Sequence, residues 1–506
     1  MSLICYLIHS GLCLRYKKEY SRMAYGMDLE HVQEEKLLHI LQTNRASVFG
    51  QKHSFDGIDT VETYRAAVPL TTYEDYAEYM DGIRDGGKHL LTQEDVLLLE
   101  LTSGSASASK MIPYTASLKN DFQQGIRPWL YDLYAHTKGL KSGKSYWSVT
   151  PVMTEMKWTS GGIPIGFEED AQYFGKWEAF LMRFVFAADP AAAHTKTMED
   201  FYFRTSLSLL ACKNLTLVSV WNPTYFMLIL DYMHKNAPIL LDSLPKRRKS
   251  EIREFLLNRA FGNIWKKLRI ISCWCDANAK TYADQLRKIF PRVHMQPKGL
   301  IATEGFISFP VLGEEGAVLS AYSHYYEFIS LLDDAVCSGW ELQKGGQYEV
   351  VITTSGGLYR YRLNDVVEVT GHFHSIPTLR FIGKRDMVSD LFGEKLHEIF
   401  VRDTLESLHI RNDFCMVAPS EGGYILFIQT NDTVPDIDLA FRANFHYDYC
   451  RKLGQLRELR IFKLTGHPAQ VYLEACVQQG QKLGDIKPAV LSRKSDWESI
   501  FEGEFI

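Results

Sequence analysis

The spacing of apolar residues along the chain predicts helices that alternate with strands. Residues 28–44 carry apolar side chains at intervals of three and four, which predicts an amphipathic helix. The same reasoning predicts helices at 115–136, 174–187, 198–211, 224–235 and 279–290. Short apolar runs rich in branched residues predict strands at 96–101, 216–220, 269–272 and 349–354. This alternation predicts an α/β fold for the larger part of the chain.

The chain opens with a short apolar stretch from Leu3 to Leu14. The stretch is too short to span a bilayer, and no lysine or arginine precedes it as in a targeting signal. We therefore expect an amphipathic first helix that packs on the body of the protein, and no membrane span.

A change of pattern after Phe381 predicts a second domain. Gly383 to Asp386 form a short polar run, and a new helix and strand pattern continues from there to Ile506. A segment of this length is of ordinary domain size. We therefore predict an N-terminal domain at 1–385 and a smaller α+β domain at 386–506.

Composition and charge exclude some classes of partner. The chain has 506 residues, of which 46% are hydrophobic and 23% are charged, as in ordinary globular proteins. Lys and Arg number 56 against 61 Asp and Glu, so no chain-wide basic field exists that would favour a nucleic acid. Nine cysteines lack metal-ligand spacing, and the closest pair is Cys273 and Cys275. We expect buried free thiols in a reducing compartment, and therefore a cytoplasmic protein.

The predicted strand at 96–101 is followed by a run of small and hydroxyl residues that ends in a lysine, Thr102 to Lys110. Small side chains let backbone N–H groups approach an anion, and the lysine supplies a point charge for phosphate. The run lacks the glycine and lysine spacing of the P-loop NTPases. The alternatives are a phosphate-binding loop and a serine-rich turn.

A second candidate lies at Thr303 and Glu304, between apolar residues and Gly305. A carboxylate beside a triphosphate serves as a hard oxygen ligand for Mg2+, and the threonine can donate to a phosphate oxygen. The alternative is a helix cap or a solvated turn.

A third candidate is Asp365. The double glycine Gly356-Gly357 after the strand at 349–354 indicates a hairpin turn, which places Asp365 at the start of a strand at 366–370. An aspartate at such an edge can accept hydrogen bonds from both ribose hydroxyls of a nucleotide. The alternative is a residue that only forms a turn.

The order and spacing of these three motifs resemble those of the adenylate-forming superfamily, in which a hinge motif follows the aspartate. In this chain, the stretch Gly383-Lys384-Arg385-Asp386 resembles that hinge motif. Further stretches narrow the resemblance to the Gretchen Hagen family of acyl acid amido synthetases, from about residue 30 to the C-terminus. These stretches are Val32-Gln33-Glu34, Phe49-Gly50, Val68 to Asp75, Tyr326-Glu327-Phe328, Tyr359 to Val367 and Leu453 to Leu456.

The resemblance implies a large multi-sheet N-terminal domain, a mobile C-terminal lid, and ATP with Mg2+ as cofactors. It implies a ligase that adenylates a carboxylic acid and transfers the acyl group to an amine, with an amino acid as the expected acceptor. It assigns Lys487 and Glu304 to catalysis, with Glu304 also the metal ligand. The nucleotide-binding residues would be Thr102, Ser103, Gly104, Ser105, Lys110, Thr303, Asp365 and Lys384.

Some residues depart from the family pattern. Ser107 stands where the phosphate loop usually has glycine, and Leu300 stands where an aromatic residue often stacks on adenine. Asn364 replaces the glycine before Asp365, and because asparagine tolerates a left-handed backbone we expect the local geometry to persist.

The acyl group and the acceptor stay open at this point. The aromatic segment 158–175 can line an acyl pocket or fill the core. The other functions considered are an acyl-CoA ligase and a non-catalytic nucleotide-binding homologue. We expect small-molecule partners, no nucleic acid, and a monomer.

Overall fold

The structure is a computed structural model that describes residues 2–102, 110–148, 157–166, 184–188, 192, 195, 197–479, 481, 486–487 and 489–506. The helices within these ranges are α1 (Leu3–Ala24), α2 (Leu29–Asn44), α3 (Val48–Lys52), α4 (Val61–Ala67), α5 (Ala77–Arg84), α6 (Ala116–His136), α7 (Met198–Ala211), α8 (Pro223–Lys235), α9 (Ala237–Asp242), α10 (Lys246–Leu257), α11 (Phe261–Ile264), α12 (Lys280–Ile289), α13 (Glu398–Ser407), α14 (Ile437–Phe441), α15 (Phe445–Lys452) and α16 (Pro468–Gln478).

Side-chain caps set the starts of several helices that the sequence predicts. Asp28 accepts from the His31 N–H at the start of α2, and Thr115 accepts from the Leu118 N–H at the start of α6. The helices predicted at 28–44, 115–136, 198–211, 224–235 and 279–290 are confirmed as α2, α6, α7, α8 and α12. The helix predicted at 174–187 falls almost wholly outside the described residues. The predicted first helix is confirmed as α1, which runs past Leu14 to Ala24.

The strands before the midpoint of the chain are β1 (Leu98–Leu101), β2 (Met111–Tyr114), β3 (Lys144–Trp147), β4 (Lys157–Trp158), β5 (Pro164–Ile165) and β6 (Leu215–Ser219). The strands after it are β7 (Ile270–Cys273), β8 (His294–Pro297), β9 (Ile301–Ala302), β10 (Gly305–Phe306), β11 (Ser308–Pro310), β12 (Ala317–Leu319), β13 (Tyr325–Ser330), β14 (Val336–Ser338), β15 (Gln347–Thr353), β16 (Tyr361–Phe373), β17 (Ile376–Lys384), β18 (Val388–Ser389), β19 (Leu396–His397), β20 (Phe414–Ser420), β21 (Gly423–Gln429), β22 (Arg460–Leu464) and β23 (Gly503–Phe505). The four predicted strands are confirmed as β1, β6, β7 and β15.

Four larger sheets organise these strands. The parallel sheet has the order β3-β6-β7-β8, and its connections run through helices as in other α/β folds. A seven-stranded antiparallel sheet has the order β11-β12-β17-β16-β15-β13-β14. A four-stranded sheet, β2-β1-β5-β4, contains the hairpin that carries the predicted phosphate loop. A last sheet, β20-β21-β22-β23, belongs to the C-terminal part of the chain.

Apolar clusters follow these sheets. One large cluster joins α1, α2 and α6 to the antiparallel sheet, and a second surrounds the parallel sheet. Two smaller clusters, among the described residues, draw only on positions from Leu396 to Phe501. All nine cysteines are free, and seven of them are buried, as the sequence predicts. No helix in the described ranges is long and apolar enough to cross a membrane.

Candidate active site

The two ends of the predicted phosphate loop are held together by a β-hairpin. Thr102 follows β1 and Lys110 precedes β2, so the two residues face each other. The Thr102 N–H donates to the Lys110 carbonyl at 2.9 Å, and the Lys110 N–H donates to Thr102 Oγ1 at 3.2 Å. These bonds fix where the loop leaves the sheet and where it returns. Ser103, Gly104, Ser105 and Ser107 lie outside the described residues, and their roles stay predictions.

The Lys110 side chain lies between two tyrosines. Its Nζ donates to Tyr361 Oη at 3.4 Å and stands 5.5 Å from the centre of the Tyr73 ring. The Tyr73 hydroxyl in turn accepts from the Met111 N–H at 2.9 Å. A cation near an aromatic face is attracted by the negative charge of that face. The ammonium group of Lys110 is therefore held in place where the hairpin meets the large antiparallel sheet.

Thr303 and Glu304 form the turn between the antiparallel strands β9 and β10. No helix begins at this turn, so the helix-cap alternative is wrong. The Tyr114 hydroxyl donates to the Thr303 carbonyl at 2.7 Å. Because Tyr114 ends β2 and Lys110 precedes it, one short strand connects the first two predicted motifs.

His324 holds the same turn through a hydrogen bond to the residue after Gly305. Its Nε2 accepts from the Phe306 N–H at 3.0 Å, and a Cβ added at Gly305 would lie only 2.9 Å from that nitrogen. Burial, assisted by the charge of Lys36, lowers the pKa of His324 well below its ordinary value. The ring is therefore neutral at physiological pH, and its acceptor role at Nε2 assigns the proton to Nδ1.

Asp365 and Lys384 lie directly opposite each other on the neighbouring strands β16 and β17. Lys384 Nζ stands 3.0 Å from Asp365 Oδ1, and the aspartate side chain is buried. The predicted strand start at 366 is wrong, because β16 already begins at Tyr361. A left-handed residue, Asn364 at φ 59°, and a register shift after Val366 let one continuous strand pass through a turn-like sequence. The tolerance predicted for Asn364 is confirmed.

Glu304 shares the electrostatic field of this pair. Burial raises the pKa of the Glu304 carboxyl, although the charges of Lys384 and Lys110 oppose the rise. Burial alone would lower the pKa of Lys384, but the Asp365 and Glu304 carboxylates raise it above its ordinary value. Two lysines and two carboxylates from four separate motifs therefore interact at one place. Cations and anions so arranged suit a nucleotide triphosphate and its metal ion.

The metal would have few protein ligands. Within the described ranges, no group of three or more His, Cys, Asp or Glu side chains is placed to enclose an ion. A single carboxylate such as Glu304 nevertheless fits Mg2+, because this ion commonly keeps its waters and binds through one or two carboxylates plus substrate phosphates.

Lys487 lies on aromatic rings in this conformation. Its Nζ is 5.3 Å from the centre of the Trp274 ring and 5.8 Å from that of Phe381, which belongs to β17. The Lys487 carbonyl accepts from the Tyr472 hydroxyl at 3.2 Å, and the neighbouring Ile486 carbonyl accepts from Asn222 Nδ2 at 2.5 Å. The segment that carries Lys487 thus contacts both the parallel sheet region and α16.

Several of the family-like stretches build the scaffold rather than the site. The Glu327 carboxylate accepts two hydrogen bonds from Arg360, at 2.9 and 3.0 Å, and one from Arg65 at 2.9 Å. Gln33 donates to the His324 carbonyl and accepts from the Tyr326 N–H, both at 2.9 Å. Charge-assisted bonds of this kind are strong when buried. These contacts hold α2, α4 and the residue before β16 against β13, next to His324.

The predicted acyl segment 158–175 is described only as far as 166, and Trp158 is 60% exposed. A different aromatic group lies at the carboxyl end of the parallel sheet. The ammonium group of the buried Lys298 lies 4.8 Å from the Trp221 ring centre and 5.0 Å from that of Trp129, and donates to Ser219 Oγ at 2.9 Å. No local pattern in the sequence predicts this cluster, because its members are far apart in the chain.

Comparison with known proteins agrees with the resemblance in the sequence. The GH3 family N-terminal domain matches residues 24–259, and the GH3 family central domain matches 317–384. The Arabidopsis thaliana indole-3-acetic acid-amido synthetase GH3.2 is 23% identical over 444 residues, which is 75% of this chain and 78% of that protein. The Nicotiana attenuata jasmonoyl--L-amino acid synthetase JAR4 is 21% identical over 414 residues, covering 73% of this chain and 71% of that protein.

A solved structure extends the similarity to nearly the whole chain. The GH3.15 acyl acid amido synthetase in complex with 2,4-DB superposes with a TM-score of 0.82 at 17% identity, covering 97% of this chain and 96% of that chain. The fold is therefore that of the acyl acid amido synthetases, an α/β class with N-terminal and C-terminal domains. The chain belongs to the GH3 family.

Proposed function

We propose that this protein is an ATP-dependent ligase that adenylates a carboxylic acid and then transfers the acyl group to an amine, with an amino acid as the acceptor. The observation that carries the proposal is the convergence of Lys110, Glu304, Asp365 and Lys384, which lie far apart in the sequence. A second lysine and a second carboxylate accompany the Asp365 and Lys384 pair, so the site offers charges of both signs to a nucleotide and its metal ion. The matched relatives, named as acid-amido synthetases, support the same reaction class.

Each of these residues would bind a different part of ATP or its metal ion. Asp365 accepts from the ribose hydroxyls while its ion pair with Lys384 holds the carboxylate in position, and Lys110 with the loop after Thr102 binds phosphate oxygens. Thr303 donates to a phosphate oxygen. Glu304 would hold Mg2+, which supplies positive charge to the phosphate oxygens when it is bound.

Lys487 is proposed to act in the first half-reaction. Attack of the acid's carboxylate oxygen on the α-phosphorus of ATP displaces pyrophosphate and places charge on the phosphoryl oxygens. An ammonium group aimed at those oxygens would stabilise the transition state by several kcal/mol, on the order of other preorganised oxyanion clamps. This role requires Lys487 to leave Trp274 and Phe381, which fits a lid at 386–506 that rotates against a body at 1–385.

In the second half-reaction the amine nitrogen attacks the acyl carbon, the bond to AMP breaks, and the amine loses a proton. No covalent enzyme intermediate is needed. We favour an amine over coenzyme A because the stretches 68–75, 326–328 and 453–456 resemble amido synthetases. Tyr73 and Glu327, in the first two stretches, make contacts within the protein, so these stretches support the proposal as features of the family.

The test separates the two half-reactions. Purified protein with ATP and Mg2+ should exchange labelled pyrophosphate into ATP only when a suitable carboxylic acid is present, and a panel of acids identifies the substrate. Adding a mixture of amino acids should then release AMP and an N-acyl amino acid detectable by mass. AMP release with coenzyme A and with no amine would establish an acyl-CoA ligase instead.

A matched pair of variants links the exchange to the site. Asp365→Asn removes the carboxylate that is paired with Lys384, whereas Asp333→Asn makes the same change at an exposed turn. Exchange should fall only in the first. Binding of ATP without exchange for any acid would establish the non-catalytic alternative. We also propose a cytoplasmic monomer, which fractionation and light scattering would test.

A further inference from the structure

The outward side of α1 is apolar over its first turns. Leu3, Ile4, Leu7 and Leu14 expose 67%, 59%, 61% and 77% of their surface, and Gly11 lies between them on the same side. Scattered exposed leucines are common on protein surfaces, but a continuous apolar strip on one helix marks an interaction surface.

The opposite side of α1 packs against the rest of the protein. Cys5, His9, Leu12 and Tyr16 are buried, and α1 packs along α6. The Ser2 N–H donates to the Ser142 carbonyl at 3.2 Å, and His9 Nδ1 contacts the Lys141 carbonyl at 2.9 Å. Rotation of the helix to bury the exposed leucines would break this packing, so the outward strip is not a misplaced core face.

The same outward side becomes basic further along the helix. Lys17 and Lys18 follow Leu14 at helical spacing on the exposed side, and Arg22 lies one turn further, with its guanidinium 5.0 Å from the centre of the Tyr322 ring. The helix has a single carboxylate, Glu19, which lies 3.7 Å from Arg127 on α6. The outward side of α1 therefore consists of an apolar strip followed by a cationic strip, with no acid within it.

We propose that the outward side of α1 binds an anionic lipid surface, with the leucines inserted at the level of the acyl chains and the basic residues at the headgroups. Interfacial binding grows with buried apolar area and with attraction between basic residues and anionic lipids. The helix would lie on the membrane, because no described helix can cross one. The proposal is independent of the ligase activity.

The charge pattern favours a lipid surface over a second copy of the chain. A symmetric dimer through this side would bring Lys17, Lys18 and Arg22 against an identical helix surface that offers no carboxylate to them. An anionic bilayer offers phosphate and carboxylate groups to the same residues. Each lysine or arginine near such a surface adds about 1 kcal/mol, or about a fivefold gain in affinity.

Flotation of the full chain with vesicles tests the proposal. We expect binding to phosphatidylcholine vesicles that contain phosphatidylserine, and at least about tenfold weaker binding to phosphatidylcholine alone, because three cations act together. Leu7→Glu/Leu14→Glu should abolish flotation. The control Leu332→Glu changes a leucine that is 94% exposed in a loop elsewhere and should float like the wild type.

A second variant and a second method distinguish a loss of lipid binding from a loss of folding. Lys18→Glu should weaken binding to the anionic vesicles by about tenfold or more, because it replaces one attraction by a repulsion, while its circular dichroism melting curve matches the wild type. Absence of wild-type binding to any vesicle would overturn the proposal. Equal flotation of Leu7→Glu/Leu14→Glu would also overturn it. So would a dimer, seen by light scattering, that this double variant dissociates.

Discussion

Glu304→Gln separates a catalytic role from a structural one because the two roles predict opposite effects on stability. The substitution keeps the size of the side chain and one of its two acceptor oxygens, replaces the other oxygen by an NH2 donor, and removes the charge. In the folded protein that charge lies in the turn between β9 and β10, where burial raises the pKa of the carboxyl despite the nearby Lys384 and Lys110. The Tyr114 hydroxyl holds the turn through its hydrogen bond to the Thr303 carbonyl.

The sign of the stability effect follows from this pKa. A carboxyl whose folded pKa is raised binds its proton more tightly in the folded chain than in the unfolded chain. Its contribution is therefore most favourable below the unfolded pKa and is lost as pH rises through the folded pKa. At pH 8, which lies above the unfolded pKa, the raised pKa of Glu304 costs stability, and the neutral glutamine removes that cost. We expect the melting temperature of Glu304→Gln at pH 8 to equal or exceed that of the wild type.

The activity should change in the other direction. Loss of one group that stabilises charge in a transition state costs about 100-fold to 1,000-fold in rate, or about 3 to 4 kcal/mol. We expect acid-dependent pyrophosphate exchange to fall by this factor and to recover in part at high Mg2+. Glu314→Gln makes the same change at an exposed position ten residues away and should alter neither quantity.

Two results would refute the reasoning. A lower melting temperature with unchanged exchange per folded molecule would show that Glu304 stabilises the turn and has no part in catalysis. An equal loss of exchange at every Mg2+ concentration, with unchanged ATP affinity, would remove the metal role and leave only an electrostatic one.

Three other variants test separate parts of the structure. Lys487→Ala should abolish adenylation and spare aminolysis of a supplied acyl-adenylate, whereas equal loss in both assays would indicate a structural role. Burial raises the pKa of Asp276 to about 6, so its ionisation lowers stability as pH rises from about 4 to 6. Asp276→Asn should therefore match the wild type in urea unfolding near pH 4 and exceed it by up to about 3 kcal/mol at pH 8, and parallel pH curves would contradict this. Gly125→Ala should lower the free energy of unfolding by about 1 to 3 kcal/mol, because the added Cβ clashes with the Phe306 ring. Gly11→Ala is the control, because a Cβ there has nothing within 4 Å and should not lower stability. Equal melting temperatures of the two variants would contradict the clash.

The parts of the fold that the sequence predicts are those with local signals. The helix at 28–44 has both apolar spacing and a capping aspartate, so α2 is found within a residue of its predicted start. The strands at 216–220 and 269–272 are short apolar runs because both faces of the parallel sheet are covered. In each case the information lies within one segment.

The parts that the sequence does not predict depend on contacts between distant segments. Tyr114 and His324 support the turn at Thr303, yet a tyrosine at the end of a strand and a buried histidine have ordinary patterns in sequence. The double glycine Gly356-Gly357 predicts a turn that places Asp365 at the start of a strand, whereas β16 begins at Tyr361. The partner strand β15, which pairs with Tyr361 and Arg362 and again from Val366 onward, shows that one strand runs through this position.

Arg360 shows that one family signature can contain residues that maintain the fold beside residues proposed to act in the reaction. It lies within the Tyr359 to Val367 stretch, near the proposed nucleotide-binding residue Asp365. Its guanidinium nevertheless donates to Glu327 and to the carbonyls of Arg65 and Val68. Loss of one partner of a buried ion pair costs about 3 to 5 kcal/mol, which is a large part of the stability of most domains. In a cell-based mutational scan, Arg360 variants would therefore score as inactive through reduced abundance. Protein level must be measured beside activity before such a residue is assigned to the chemistry.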